Sequence, residues 1–381
     1  MTNTRSKKPA YRSNSQIKIM KTLDRPKDPA DFHSDIRIIQ KKPPYKKVAV
    51  ENQQLLPAKY QRQWYMKEEG NRVDANNEVL AQELLRLLMP YYPKTRVVKP
   101  TRGNKIFVMS KGIPGYQGFH HLPPDEVVEK ILNGTYRGFG AALVGALFVN
   151  EIDFRPPNLA VDKEGHIIKI DGGLCFINLV KSDYGIDIIE ANYTVSSRDI
   201  DVLPYLETYQ PARWFHQKEK EYQFDEISKS AIVRKEINET IFKIILLPDE
   251  LLHEFVSHYL QANEFQHEVA IYVSELIQRR DMIRTAAKNS QSFLQYIHTK
   301  DAKETLTIFI KSLNEFTLTQ KEKLSMTKHE EMMQYSFFNI ISSVKYTNNK
   351  NLGVFANNSH NSEVSDALQK EKTNQSRCTI V

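Results

Sequence analysis

Apolar positions change their spacing several times along the chain. Gln63-Trp-Tyr-Met-Lys67 is an aromatic-rich run that predicts a strand, and Asn76-Asn-Glu-Val-Leu-Ala-Gln-Glu-Leu-Leu-Arg-Leu-Leu88 has helical spacing behind asparagines suited to an N-cap. Arg96 to Lys99 and Lys105 to Met109 read as neighbouring strands joined through Pro100-Thr-Arg-Gly103. Gly138 to Val149 is an apolar run; at twelve residues it is too short to span a membrane and predicts a buried helix. Leu159-Ala-Val161 and the β-rich stretch His166 to Ile170 flank Asp162-Lys-Glu-Gly165, whose composition is that of a turn, so this segment predicts a hairpin. From about Phe224 to Lys345 the pattern is helical. Ile227, Ala231 and Ile232 share a spacing, Leu247-Pro-Asp-Glu250 marks a helix start, and Phe255, Tyr259, Val273, Leu276 and Ile277 continue the apolar stripes.

The hairpin carries the candidate chemistry. Asp153-Phe-Arg-Pro-Pro-Asn158 precedes it and Asp171-Gly-Gly follows it, so Asn158 and Asp171 should meet at one edge. A carboxylate at Asp153 can orient an acceptor hydroxyl and take its proton, while an Asn five positions on and an Asp eighteen positions on can share the divalent cations of a bound nucleotide. Such a site needs an upstream Lys for the α- and β-phosphates and an acid to hold that Lys. Lys67, at the end of the first predicted strand, is the candidate Lys; its partner is Glu78, beside the Asn pair, or Glu83 in mid-helix. The strand ending at Met109 runs into Ser110-Lys-Gly-Ile-Pro-Gly115, which resembles a kinase hinge, and that resemblance implies that the backbone around Met109 and Lys111 could bond an adenine edge. A glycine-rich phosphate loop is missing, since the first glycine is Gly70, already past Lys67. The Lys41-Lys-Pro-Pro-Tyr-Lys-Lys47 turn, or side chains, would have to cover the phosphates instead.

Ile152 to Gly173 resembles the catalytic and metal loops of the protein kinase superfamily, in which Asp-Leu-Lys-Pro-x-Asn precedes a hairpin and Asp-Phe-Gly. The resemblance implies that Asp153 is the catalytic base, that Arg155 stands where the family's Lys neutralises the transferred phosphate, and that Asn158 and Asp171 bind Mg2+ or Mn2+ beside ATP. Ile152 replaces the usual Arg before the base, Asn150 and Glu151 stand where a His is expected, and Gly172 replaces the Phe of Asp-Phe-Gly. Glu78 after an Asn is similar to the helix start of bacterial kinases related to the HipA toxin, whereas Glu83 sits where ordinary protein kinases place their acid.

Charge and the termini add a location. Residues 1–47 hold 13 Lys and Arg against 4 Asp, a balance of +9, so the rest of the chain sums to −2 to reach the net +7. The basicity belongs to an N-terminal region suited to anionic lipid or an inositol phosphate, and without a recognisable nucleic-acid module it does not point to nucleic acid. Two cysteines 203 positions apart make no disulfide framework and suggest a reducing compartment; a signal-peptide core and a transmembrane run are both missing. The chain ends in Cys378-Thr-Ile-Val381, the form recognised by protein prenyltransferases, with Val leaving farnesyl and geranylgeranyl both open. A kinase-like core with a eukaryotic lipidation signal, together with Gln278-Arg-Arg-Asp-Met-Ile-Arg-Thr-Ala-Ala287, is similar to effector kinases that intracellular bacterial pathogens inject into host cells.

The expected fold class is α+β, a two-lobed protein-kinase-like fold with a helical C-terminal extension. Its expected parts are a basic, disordered arm at 1–30, an N-lobe at 31–110, a C-lobe core with both loops at 111–225, a helical remainder or bundle at 226–345 and a flexible tail at 346–381. The expected function is a Ser/Thr-type protein kinase, secreted into the host cell and membrane-associated through the prenylated C-terminus, otherwise cytosolic. A phosphoinositide kinase and a membrane-tethered pseudokinase are the alternatives.

Overall fold

An antiparallel sheet grows from the alternating segments of the first third of the chain. In the computed structural model its strands are β1 (Ile17–Ile19), β2 (Ile36–Lys41), β3 (Trp64–Glu69), β4 (Thr95–Val98) and β5 (Ile106–Lys111), in the order β1-β2-β3-β5-β4. The structure describes residues 17–19, 36–41, 64–69, 72–98, 106–176, 179, 193–206, 214, 222, 224–260, 262–320 and 329–340. Residues 1–30, expected as a disordered arm, thus include β1, whose Ile17-Lys-Ile19 alternation pairs with Ile39 to Lys41.

Strand periodicity decides which side chains face the site. Lys67 lies opposite Val108, and Val108 opposite Val97, so these three share a face. Val108 packs with Ala75 and Val79 of helix α1 (Arg72–Leu88). Glu69, two residues after Lys67, falls on that same face, and Met109 on the other.

Helix α1 begins at Arg72, four residues earlier than the asparagines suggested. Asn76 and Asn77 are therefore interior helix residues rather than caps, and Asn77 Oδ1 accepts a hydrogen bond from Tyr272. An isolated helix penalises Asn in its interior, and a buried tertiary hydrogen bond offsets part of that cost at Asn77. Every residue from Asp74 to Leu88 is buried, because both the sheet and several later helices pack on α1.

The second sheet is small: β6 (Gln117–Gly118), β7 (Leu159–Val161) and β8 (Ile167–Lys169), all antiparallel. β7 and β8 form the expected hairpin. Asp162 Oδ1 accepts the amides of Glu164 and His166 and closes its turn. Asp162, Glu164 and His166 cluster there through this turn chemistry.

Further α-helices are α2 (Pro124–Leu132), α3 (Phe139–Phe148), α4 (Ser197–Val202), α5 (Phe224–Lys229), α6 (Ala231–Leu246), α7 (Asp249–Leu260), α8 (Ala262–Ala287), α9 (Gln291–Ile297) and α10 (Lys300–Gln320), and residues 329–340 are also helical. α3 is the predicted apolar run, and it is wholly buried against α6 and α8. The stripe drawn through Ile227, Ala231 and Ile232 does not hold. Ser230 caps a new helix by accepting the Val233 amide, which separates Ile227 from the other two and leaves Ile232 exposed.

The chain divides into two compact units, Met1–Gln334 and Tyr335–Val381. Strands β1 to β8 and helices α1 to α10 lie in the first, a mixed α+β unit in which helix predominates. Among the described residues no helix is long and apolar enough to cross a membrane. The 346–381 tail, with Cys378, and most of the basic N-terminal region lie outside the described residues.

Candidate functional site

Lys67 is the centre of the site. Its Nζ lies 3.0 Å from Glu78 Oε2, 3.1 Å from Asp171 Oδ1 and 3.1 Å from Glu69 Oε1. One strand, one helix and the segment after the hairpin thus deliver three carboxylates to one ammonium group. Desolvation works against its charge, but Glu78, Asp171 and Glu69 more than offset that and raise the Lys67 pKa well above its ordinary value.

The choice between two helix acids is resolved by their partners. Glu78 holds Lys67, whereas Glu83 is fully buried and accepts from Arg86 Nε at 3.1 Å, the Thr95 amide at 2.5 Å and the Tyr259 hydroxyl at 2.5 Å. Glu78 sits in the second turn of α1, not the first, because the helix starts at Arg72. Glu69 was not expected. Its position two residues beyond Lys67 in a strand is the signal that finds it.

Burial pushes the Glu78 carboxyl up to about 7; Lys67 pulls it down, and Asp171 and Glu69 push it further up. Burial also raises Glu69. Desolvation would raise Asp171 too, but Lys67, Lys169 and the Gly173 amide hold it well below the usual carboxylate range. Nearly half of the Asp171 side chain is exposed, so it is the open member of the trio.

Asp153 and Asn158 form the other half. Asn158 Nδ2 donates to both the main-chain oxygen and Oδ2 of Asp153, each at 2.9 Å, which turns the amide oxygen of Asn158 away from Asp153. The Ile170 amide donates to the Asn158 carbonyl at 2.9 Å, so the hairpin sets Asp171 one residue beyond Asn158's partner. Arg155 Nε lies 2.7 Å from Asp153 Oδ1. Burial, then the Glu151 carboxylate, raises the Asp153 carboxyl above its ordinary value.

Gly172 lies where the chain runs close to α1. A Cβ there would stand 3.2 Å from Ala81 Cβ and 3.2 Å from the Glu78 carbonyl, so the chain presses against α1 where a larger side chain would need space. The same approach brings Asp171 within reach of Lys67.

Met109 and Lys111 occupy β5, an interior strand between β3 and β4, where Met109 is paired with Met66 on one side and Arg96 on the other. The Lys111 amide donates to the Lys94 carbonyl at 2.8 Å, and Lys111 is exposed. Neither side chain is among the residues gathered around Lys67.

Several supports had no visible motif. The Glu151 carbonyl accepts from Trp214 Nε1 at 2.7 Å and Tyr193 Oη at 3.2 Å, and Phe154 packs between Phe139 and Trp214. Buried Arg279 donates to the Leu147 carbonyl from Nε and Nη2 and to the Tyr193 carbonyl from Nη1, capping the end of α3 that leads into Asp153. No protein-family model matches this sequence, and no curated protein matches it.

Proposed function

We propose that the chain is an ATP-dependent protein kinase of Ser/Thr type, built as a two-lobed kinase-like fold with the five-stranded sheet and α1 in the smaller lobe. The observation that supports this most is Lys67 Nζ held between Glu78, 11 positions away, and Asp171, 104 positions away. Phosphoryl transfer needs a cation for the phosphates, an acid to hold it and a carboxylate for metal, and Lys67, Glu78 and Asp171 supply one of each.

The donor set fits Mg2+ or Mn2+: Asp171 offers a half-exposed carboxylate and Asn158 an amide oxygen, both hard oxygen ligands. Bound there, the cation would neutralise phosphate charge. Lys67 would exchange one carboxylate for phosphate oxygens while Glu78 keeps it in place. Asp153, oriented by Asn158, would accept the proton of the acceptor hydroxyl, and its raised pKa suits that step. Arg155 would turn from Asp153 toward the transferred phosphate.

Incubating the full chain with labelled ATP and Mg2+ or Mn2+, with protein and phosphoinositide acceptors in parallel, tests this reading. Label on protein supports it. Label on lipid supports the phosphoinositide kinase, which the basic N-terminal region and Cys378 favour by offering two membrane contacts. Nucleotide binding without transfer would leave a pseudokinase. Action at host membranes as a secreted, prenylated effector belongs to the same proposal, and intact-mass analysis of chain from eukaryotic cells tests it. An uncut tail with unmodified Cys378 sinks the lipid anchor.

The acid cluster sets a pH dependence. Glu78 must be charged to hold Lys67, so kcat/KM should rise with pH to a plateau above about 7. Stability should run the other way. The Glu78 pKa lies above its ordinary 4.5, so its contribution is full below 4.5 and lost as pH rises through about 7. Glu69→Gln removes a like charge and should shift the activity limb to lower pH. A limb that stays in place would exclude Glu78 as its source.

A further inference from the structure

Between Asp153 and Asp171 runs a line of buried polar contacts that the motif does not contain. Glu151 Oε1 accepts the Asp153 amide at 2.7 Å, Glu151 Oε2 pairs with Lys169 Nζ, and Lys169 Nζ donates to the Asp171 carbonyl. Both side chains of the ion pair are fully buried, and Cys175 Sγ donates to Glu151 Oε2 at 3.0 Å.

The backbone at both ends needs holding. Asp171 adopts φ +57° and Asn150, next to Glu151, φ +50°, left-handed conformations that Asp and Asn tolerate better than other side chains but at a higher cost than glycine, so a bond that fixes the neighbouring carbonyl steadies them. Lys169 bonds the carbonyl of the first, and Trp214 and Tyr193 bond that of Glu151, which follows the second. A buried pair of this kind adds little net stability over apolar residues of the same size, so stability is a weak reason for it.

We infer that Glu151 and Lys169 are positioning residues that couple the candidate base to the candidate metal ligand, setting Asp153 through its amide and Asp171 through its carbonyl. This rests on the proposed kinase reading for its consequence, but the coupling itself can be measured without activity. Glu151 is the shared member: one oxygen serves each loop.

The test compares hydrogen exchange and kinetics in two variants. Glu151→Gln keeps an acceptor for the Asp153 amide and loses the charge that anchors Lys169. Exchange at residues 171–173 should therefore speed by about tenfold, while 153–155 and the reference segment 237–246 stay as in the wild type. Glu151→Leu/Lys169→Met removes both links without leaving a lone buried charge, and should loosen 153–155 and 171–173 together. In the wild type's own assay, Glu151→Gln should lower kcat by about 100-fold, as a misplaced reacting group does, with KM for ATP changed far less. It should also raise the Mn2+ concentration for half-activation. Exchange unchanged in both segments, or loosened evenly across 237–246 as well, overturns the coupling. A wild type that binds no nucleotide and transfers no phosphate counts against the kinase reading instead, and the exchange pattern then decides the coupling alone.

Discussion

Asp171→Ala should abolish metal-dependent phosphoryl transfer, lowering kcat by at least about 1000-fold, roughly 4 kcal/mol of transition-state stabilisation. The variant should nonetheless fold. Asp171 is exposed over nearly half its side chain, so its loss opens no core cavity. Removing it also takes one of three carboxylates from around Lys67, relieving repulsion on Glu78 and Glu69. The backbone is the remaining concern, since φ is +57° and Ala tolerates that conformation less well than Asp or Asn. Asp171→Asn answers it by keeping the left-handed preference and removing the charge. Both variants should retain the wild-type circular dichroism and lose activity together. Near-normal transfer in either folded variant would remove Asp171 from the site.

What could be read ahead of the structure depended on how local the signal was. The β7–β8 hairpin was legible because its turn chemistry and both strands lie within Leu159 to Lys169, and α3 because its apolar run has no competing pattern. The start of α1 was not. Asn76 and Asn77 have cap propensity, but the helix begins four residues earlier and Asn77 there meets Tyr272, 195 positions away, a contact no local pattern reveals. Asp153, Asn158 and Asp171 could be proposed as candidates from spacing and Lys67 from a predicted strand that ends in a charge, and the structure brings Lys67 and Asp171 together. The supports could not. Trp214, Tyr193 and Arg279 act on main-chain oxygens, which any sequence supplies, so no pairing of side-chain types marks them. Glu151 and Lys169 do pair by type, yet each reads alone as a surface charge. Only the fold shows that neither touches solvent.

Lys67→Met should lower ATP affinity or turnover by at least about tenfold, roughly 1.4 kcal/mol, because it removes the charge that holds the phosphates and keeps an apolar stem. The structure adds a second effect with its own signature. Without Lys67, the Glu69, Glu78 and Asp171 carboxylates lose their shared cation, so the folded protein should take up protons there. The resulting loss of stability should be larger at pH 8 than at pH 6, where protonated acids no longer need a counter-charge. Lys67→Arg restores charge without the same point geometry, so it should recover stability more fully than activity. The two helix acids then separate. Glu78→Gln should reproduce the Lys67→Met defect in a folded protein. Glu83→Gln should instead cost about 3 kcal/mol of stability, since it leaves the buried Arg86 guanidinium without its counter-charge. An Lys67→Met protein with normal turnover would move the phosphate contact elsewhere, and equal kinetic defects from Glu78→Gln and Glu83→Gln without a stability difference would undo the division of roles between them.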